Sequence, residues 1–73
     1  MNAANIAEPR DQLLQLLGAL DMIELLREEM EQWLAEAQDD SKREALENVV
    51  GHLQVMEAEY KQRSASLREQ LQT

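Results

Sequence analysis

The chain of 73 residues has no cysteine, no phenylalanine, one proline, two glycines, one tryptophan and one tyrosine. The absence of cysteine excludes disulfides, thiolate nucleophiles and thiolate zinc sites. The scarcity of proline and glycine leaves long stretches without a helix breaker, and no alternating β-branched run predicts a strand. No window approaches the ~18 consecutive apolar residues of a membrane span, and the first ten residues lack the basic and apolar regions of a secretory signal. We therefore expect a cytoplasmic all-α protein that does not contact a membrane.

Two helix-start signals predict that the chain forms two helices. Pro9 suits the first position of a helix, because the backbone N–H that proline lacks would have no partner within the helix at that position. Ser41 and Glu44 have the S-x-x-E spacing of a capping box and follow a polar segment that ends the first apolar pattern. Because so short a connection reverses the chain, the helices are expected to form an antiparallel, coiled-coil-like hairpin. The predicted bounds are a disordered or frayed N-terminus at 1–7 and a single domain at 8–73, with helix 1 at about 8–38, a turn at 39–41 and helix 2 at about 41–71.

Apolar residues at alternating spacings of three and four predict where the two helices pack. The pattern of helix 1 is interrupted at Arg27, and that of helix 2 gives way to Arg63 and Gln70 near its end. The predicted core of the hairpin or of a dimer consists of Leu13, Leu16, Leu20, Ile23, Met30, Leu34, Leu46, Val49, Leu53, Met56, Tyr60 and Leu67.

Helix 1 is apolar on more sides than one partner helix can cover, which predicts a second contact. The residues beyond the core form what we term the apolar flank: Met22, Leu25, Leu26 and Trp33. One interpretation is a second copy of the chain, with two hairpins forming a homodimeric four-helix bundle. Another is a different protein, for which Met22 and Trp33 would serve as adaptable anchors. In a third interpretation, Trp33 is an ordinary core residue near the turn.

Negative charge is concentrated on helix 1 and the turn. The chain has 15 acidic and 7 basic residues, a formal charge of −8. Four carboxylates share one side of helix 1, and we term them the acidic face: Asp21, Glu24, Glu28 and Glu31. Like charges at this spacing destabilise a helix, so the face indicates docking to a basic surface of a partner protein. The alternatives are a solvated face that aids solubility, or neutralisation by the cations of helix 2, which are Lys42, Arg43, Lys61, Arg63 and Arg68.

No catalytic, cofactor-binding or metal-binding residues are predicted. His52 is the only histidine, and a Glu-x-x-His metal motif would need an acid where Val49 stands. The serines are not at helical spacing from His52 for a Ser–His pair, and no glycine-rich phosphate loop is present. The protein is therefore not expected to be an enzyme.

The leading functional hypothesis is a non-catalytic protein–protein interaction module. It would bind a regulator or motor protein and inhibit or modulate it, with the apolar flank as contact area and the acidic face as steering charge. One alternative is a secretion or assembly chaperone, or a subunit, whose apolar flank covers a partner helix. A second is a nucleic-acid-mimicking or DNA-regulatory small helical dimer. Direct contact with nucleic acid is not expected, because a chain of this charge is repelled by phosphates.

Overall fold

The computed structural model describes residues 8–72, which form two antiparallel helices. Helix α1 spans Pro9–Glu36 and helix α2 spans Asp40–Gln72. No strand occurs within residues 8–72, so the predicted all-α helical hairpin is confirmed. The predicted disordered segment 1–7 lies outside the described residues, and the pairing of two hairpins stays a prediction. In the part of the chain that the structure describes, neither helix is long and apolar enough to cross a membrane.

The beginning of α1 follows the sequence prediction, whereas the beginning of α2 does not. Glu8 occupies the N-cap position of α1 and Pro9 follows it as the first helical residue. At α2, Oδ1 of Asp39 accepts a hydrogen bond from the backbone N–H of Ser41 at 2.9 Å. The capping box predicted at Ser41 is therefore wrong. Asp39 is among the best N-cap residues and reaches the amide two positions ahead, so the helix begins one residue earlier, at Asp40.

The turn between the helices is closed by hydrogen bonds to the end of α1. The backbone N–H of Ala37 donates to the carbonyl of Leu34 at 3.2 Å. The guanidinium of Arg43 donates to the carbonyl of Ala37 at 2.8 Å. These bonds satisfy groups that a helix end leaves unpaired, and they join the first turn of α2 to the end of α1.

The line of α1 that contacts α2 has the predicted register. Leu20 and Ile23 are buried at its centre, and most of its other members are half-buried. The complete line, which continues through the interruption at Arg27, is Leu13, Leu16, Leu20, Ile23, Arg27, Met30, Leu34 and Ala37.

The contact line of α2 differs from the predicted one. Val49 and Met56 are 41% and 40% exposed, so the prediction that they line the core of the hairpin is wrong. The residues that follow them in the chain, Val50 and Glu57, are buried instead. The observed line is Leu46, Val50, Leu53, Glu57, Tyr60, Ser64 and Leu67. Relative to the predicted line, α2 is rotated by about 50° around its axis, half the angle between successive residues.

Two polar residues of α2 account for this rotation. Glu57 lies opposite Arg27 and forms an ion pair with it. Ser64 is buried and small, and its hydroxyl donates to the carbonyl of Lys61 at 2.9 Å, so its burial leaves no unpaired donor. Had Met56 faced α1 instead of Glu57, the guanidinium of Arg27 would have been partly desolvated with no partner on α2 and only Glu31 of its own helix beside it, which is unfavourable.

The hairpin is a single layer of two helices. Its extents are 52 × 27 × 14 Å, so none of the described residues covers the broad sides. The apolar residues that are buried between the helices are Leu20, Ile23, Val50 and Leu53, and no large side chain among residues 8–72 is completely enclosed. Most of the apolar surface outside the contact line is therefore open to solvent.

Candidate functional site

The apolar flank predicted from the sequence lies on the surface of the hairpin. Met22, Leu25, Leu26 and Trp33 are between 45% and 64% exposed. By their positions on α1, Met22, Leu26 and Trp33 share one side, whereas Leu25 lies further round the helix. An exposed leucine is ordinary in a soluble protein, but a contiguous group of large apolar residues indicates a contact surface.

Trp33 lies at the turn end of the hairpin, beside a shallow groove formed by both helices. The groove is lined by Trp33, Glu36, Ala37, Lys42, Ala45 and Leu46. The indole is thus near Ala45 and Leu46, as expected for a residue that packs near the turn. Half of its surface nevertheless remains exposed, so the hairpin alone does not bury it. Tryptophan contributes a large contact area to interfaces, and this side chain is available for that role.

The acidic face is only partly free. Glu31 forms an ion pair with Arg27 of the same helix, at 3.1 Å. Glu24 is half-buried, whereas Asp21 and Glu28 are exposed. Among residues 8–72, Asp21 and Glu28 form no ion pair. The two exposed carboxylates are therefore the members of the face that are available to attract a basic partner.

Among residues 8–72, no ion pair joins a cation of α2 to the acidic face. Lys61 pairs with Glu57, at 3.7 Å between Nζ and Oε2. Arg43 binds the turn carbonyl of Ala37, and the guanidinium of Arg63 lies 5.6 Å from the centre of the Tyr60 ring. These three cations thus have partners outside the acidic face. Neutralisation of the face by helix 2 in a four-helix bundle, for which Lys42 and Arg68 are also available, stays a prediction.

An ion-pair network that sequence reasoning missed lies at the middle of the hairpin. Nε of Arg27 donates to Oε1 of Glu57 at 2.8 Å, and a second nitrogen donates to Oε2 at 3.3 Å. Nη1 of the same guanidinium donates to Glu31 at 3.1 Å. The Glu57 side chain is 11% exposed, so this pair is part of the interior. The sequence carries this signal on one helix alone: Arg27 interrupts the apolar line of α1, whereas the more apolar line of α2 passes through Met56 and leaves Glu57 out.

The network stabilises the ionised form of Glu57. The hydrogen bond from Arg27 is the main cause that lowers the pKa of Glu57 below its usual value, and the positive charges of Arg27 and Lys61 act in the same direction. Burial opposes them. The hydrogen bond to Glu57 likewise raises the pKa of Arg27. The two groups therefore remain charged at neutral pH and hold the helices in one register.

We expect the contribution of Glu57 to stability to be lost in acid. Because its pKa is lowered in the folded state, the contribution is complete above the unfolded pKa, about 4.3, and declines as pH falls through the lower folded value. The measurement is the melting temperature of wild type and of Glu57→Gln between about pH 7 and pH 3. The difference between the two should be constant near neutrality and shrink below about pH 4.5. A difference that persists unchanged in acid, or an equal effect of the control Glu59→Gln, would contradict this assignment.

The described residues contain no cluster suited to metal binding. His52 is exposed, and no group of three histidine, cysteine, aspartate or glutamate residues between residues 8 and 72 is placed to hold a metal ion. The features of the hairpin that can take part in recognition are consequently its exposed apolar residues and its free carboxylates. Comparison of the chain with protein-family models, with curated proteins and with solved structures finds no match.

Proposed function

We propose that the chain is a non-catalytic, cytoplasmic protein–protein interaction module that binds a regulator or motor protein and inhibits or modulates it. The observation that carries the proposal is the exposure of the apolar flank on a hairpin whose described residues form a single layer. Exposed apolar patches of this kind mark interaction surfaces in soluble proteins. In this proposal the protein acts as a homodimer, and the flank is divided between a second copy and the target.

In this proposal, the exposed carboxylates of α1 direct the approach of the target. Asp21 and Glu28 are exposed and lie beside Leu25 on the outer surface of α1. A target with a basic surface would be attracted to these carboxylates and would then bury the leucine, because complementary charge accelerates association and apolar burial supplies affinity. The target chemistry supported by this arrangement is a surface with exposed Lys or Arg beside an apolar pocket.

The proposal is tested by capturing the target and then measuring its affinity for matched variants. A tagged chain is used to isolate binding proteins from a cell extract, and the target is purified for calorimetry. Asp21→Lys/Glu28→Lys should weaken binding by about tenfold or more and reduce its dependence on salt. The control Glu47→Lys/Glu59→Lys alters the net charge equally at exposed positions of α2. Equal affinity of both double variants would contradict the steering role, and absence of any specific binding protein would contradict the proposed function.

A second candidate function is a chaperone or assembly subunit whose apolar flank covers a partner helix permanently. The specific observation in its favour is that exposed apolar residues extend along most of α1, from Leu14 through Met22 to Trp33. The two functions predict different behaviour of the isolated protein. A permanent subunit is partly unfolded or aggregated on its own, whereas an inhibitor is folded before it meets its target. Helicity and thermal melting of the purified chain distinguish them.

A further inference from the structure

The most apolar line of α2 does not point at α1. Val49 and Met56, together with Leu53, form a stripe that is centred to one side of the contact line, because α2 is rotated about 50° from the register with the best apolar pattern. In an isolated two-helix hairpin, the apolar stripe of each helix is expected to face the other helix. In a four-helix bundle, the stripe faces the axis of the bundle, between two neighbouring helices. The offset in α2 therefore indicates that more helices pack on that side.

The exposed apolar residues of α1 are offset toward the same side. Leu26 and Trp33 directly precede the contact residues Arg27 and Leu34, just as Met56 directly precedes Glu57. In an antiparallel pair, residues that precede the contact residues in the two helices lie on one side of the pair. Two grooves lie on this side of the pair. One joins Trp33 to the start of α2. The other lies at the opposite end of the hairpin and joins the start of α1, near Ala19, to the later part of α2, near Arg63. We term this surface the tryptophan side, and its apolar members are Leu26, Trp33, Val49 and Met56.

The distribution of charge decides what covers the tryptophan side. The chain has 15 acidic residues, yet none occupies the heptad position that contains Leu26 and Trp33 in α1 or the one that contains Val49 and Met56 in α2. The residues at these two heptad positions are Gln12, Ala19, Leu26 and Trp33 in α1 and Lys42, Val49, Met56, Arg63 and Gln70 in α2. Glu29, Glu36 and Glu59, which also directly precede contact residues, lie further out, at the edges of this side. A second copy of a chain with a charge of −8 can approach along this side without opposing carboxylates at the centre of the contact. A basic partner would be attracted to the other side of α1, where the acidic face lies.

We propose that two copies of the chain pack through their tryptophan sides, related by a twofold axis, to form a four-helix bundle. This inference rests on the homodimer in the proposed function and identifies the surface that forms it. Two adjacent helices about 40 Å long and together about 20 Å wide present on the order of 800 Å² on one side, which is the area that each partner of a stable complex buries. The acidic face and Leu25 remain outside the contact, so the dimer keeps them free for a target.

The test compares neighbouring apolar residues that lie on different sides of the hairpin. Leu26→Lys and Met56→Lys change the tryptophan side, and the controls Leu25→Lys and Val55→Lys change exposed apolar residues next to them in the chain. Sedimentation equilibrium gives the dissociation constant of the dimer for each variant. We expect the two test substitutions to raise it by roughly 100-fold, as a charge at the centre of an interface does, and the two controls to leave it within about threefold.

A measurement on the wild-type chain keeps the test valid if a lysine variant fails to fold. Trp33 is the only tryptophan, so its fluorescence reports on the tryptophan side alone. On dilution through the dissociation constant, at constant helicity, its emission should shift to the red and its quenching by acrylamide should increase. A monomer at all concentrations would overturn both the homodimer and this surface. A dimer that is unaffected by the two test substitutions, with unchanged quenching of Trp33, would overturn the surface and leave the homodimer standing.

Discussion

Replacement of Leu53 by alanine is expected to remove most of the stability of the hairpin at 25 °C. Leu53 is one of the four buried apolar residues, together with Leu20, Ile23 and Val50. Truncation of a buried leucine costs about 2–5 kcal/mol. A domain of this size rarely derives more than about 3–5 kcal/mol from its core, so one such loss removes most of its stability. The measurement is urea unfolding followed by helical circular dichroism at one fixed protein concentration.

The matched control for this substitution is Val55→Ala, two residues further along α2. Val55 is 58% exposed and lies away from the contact line. Its truncation should change the free energy of unfolding by no more than about 0.5 kcal/mol, as is usual for surface substitutions. If Leu53→Ala and Val55→Ala unfold at the same urea concentration, the core does not lie where the structure places it.

Reversal of the charge of Arg27 is expected to produce the second large effect. Arg27→Glu would leave Glu31 without its cation and Glu57 with only the more distant Lys61. It would also bring a third carboxylate into the same part-buried site. We expect the melting temperature to fall by roughly 10 °C or more, because a buried charge is left facing like charges. The double variant Arg27→Glu/Glu57→Arg restores opposite charges across the contact line. It should recover a substantial part of the loss, and thermal melting at neutral pH measures both variants.

Arg68→Glu is the control for the change in net charge. Arg68 is exposed near the end of α2 and takes no part in the central network. Its substitution should have a small effect, because exposed charges contribute little to stability. A double variant no more stable than Arg27→Glu, or an equally large effect of Arg68→Glu, would show that the direct pairing across the helices is unimportant.

The structure and the proposals together divide the surface of the hairpin into two functional sides. Leu26, Trp33, Val49 and Met56 form a side with no acid at its centre, for which a second copy is the proposed occupant. Asp21, Leu25 and Glu28 form an outer surface of α1, for which a basic target is proposed. The substitution Leu25→Lys connects the two proposals, since it should preserve the dimer and weaken binding of the target.

The residues of α1 that contact α2 could be predicted from the sequence, because apolar residues outnumber polar ones along the contact line. Only Arg27 interrupts that line, and the spacing from Leu13 to Ala37 is regular. The beginning of α1 was likewise predictable, since proline has one strongly preferred position at a helix start. The beginning of α2 was not, because Asp39, Asp40 and Ser41 are all good N-caps and local sequence does not rank them.

The register of α2 could not be chosen from its own pattern. Leu46, Leu53, Tyr60 and Leu67 belong to both possible contact lines, which differ in the residues between them. One line adds Val49 and Met56 and is the more apolar, so a helix considered alone favours it. The observed line adds Val50, Glu57 and Ser64 because the opposite helix carries a cation at the level of Glu57.

The amino-acid sequence by itself determined that this protein is a hairpin of two long helices, and that α1 has more apolar surface than α2 can cover. Those properties depend on helix propensity, on breakers and on periodicity, which act over a few neighbouring residues. Only the tertiary structure decided which side of α2 is buried, and hence that Val49 and Met56 join Leu26 and Trp33 on one exposed side. The physical reason is that the pairing of Arg27 with Glu57 joins residues thirty positions apart, and its cost and benefit exist only when both helices are in place.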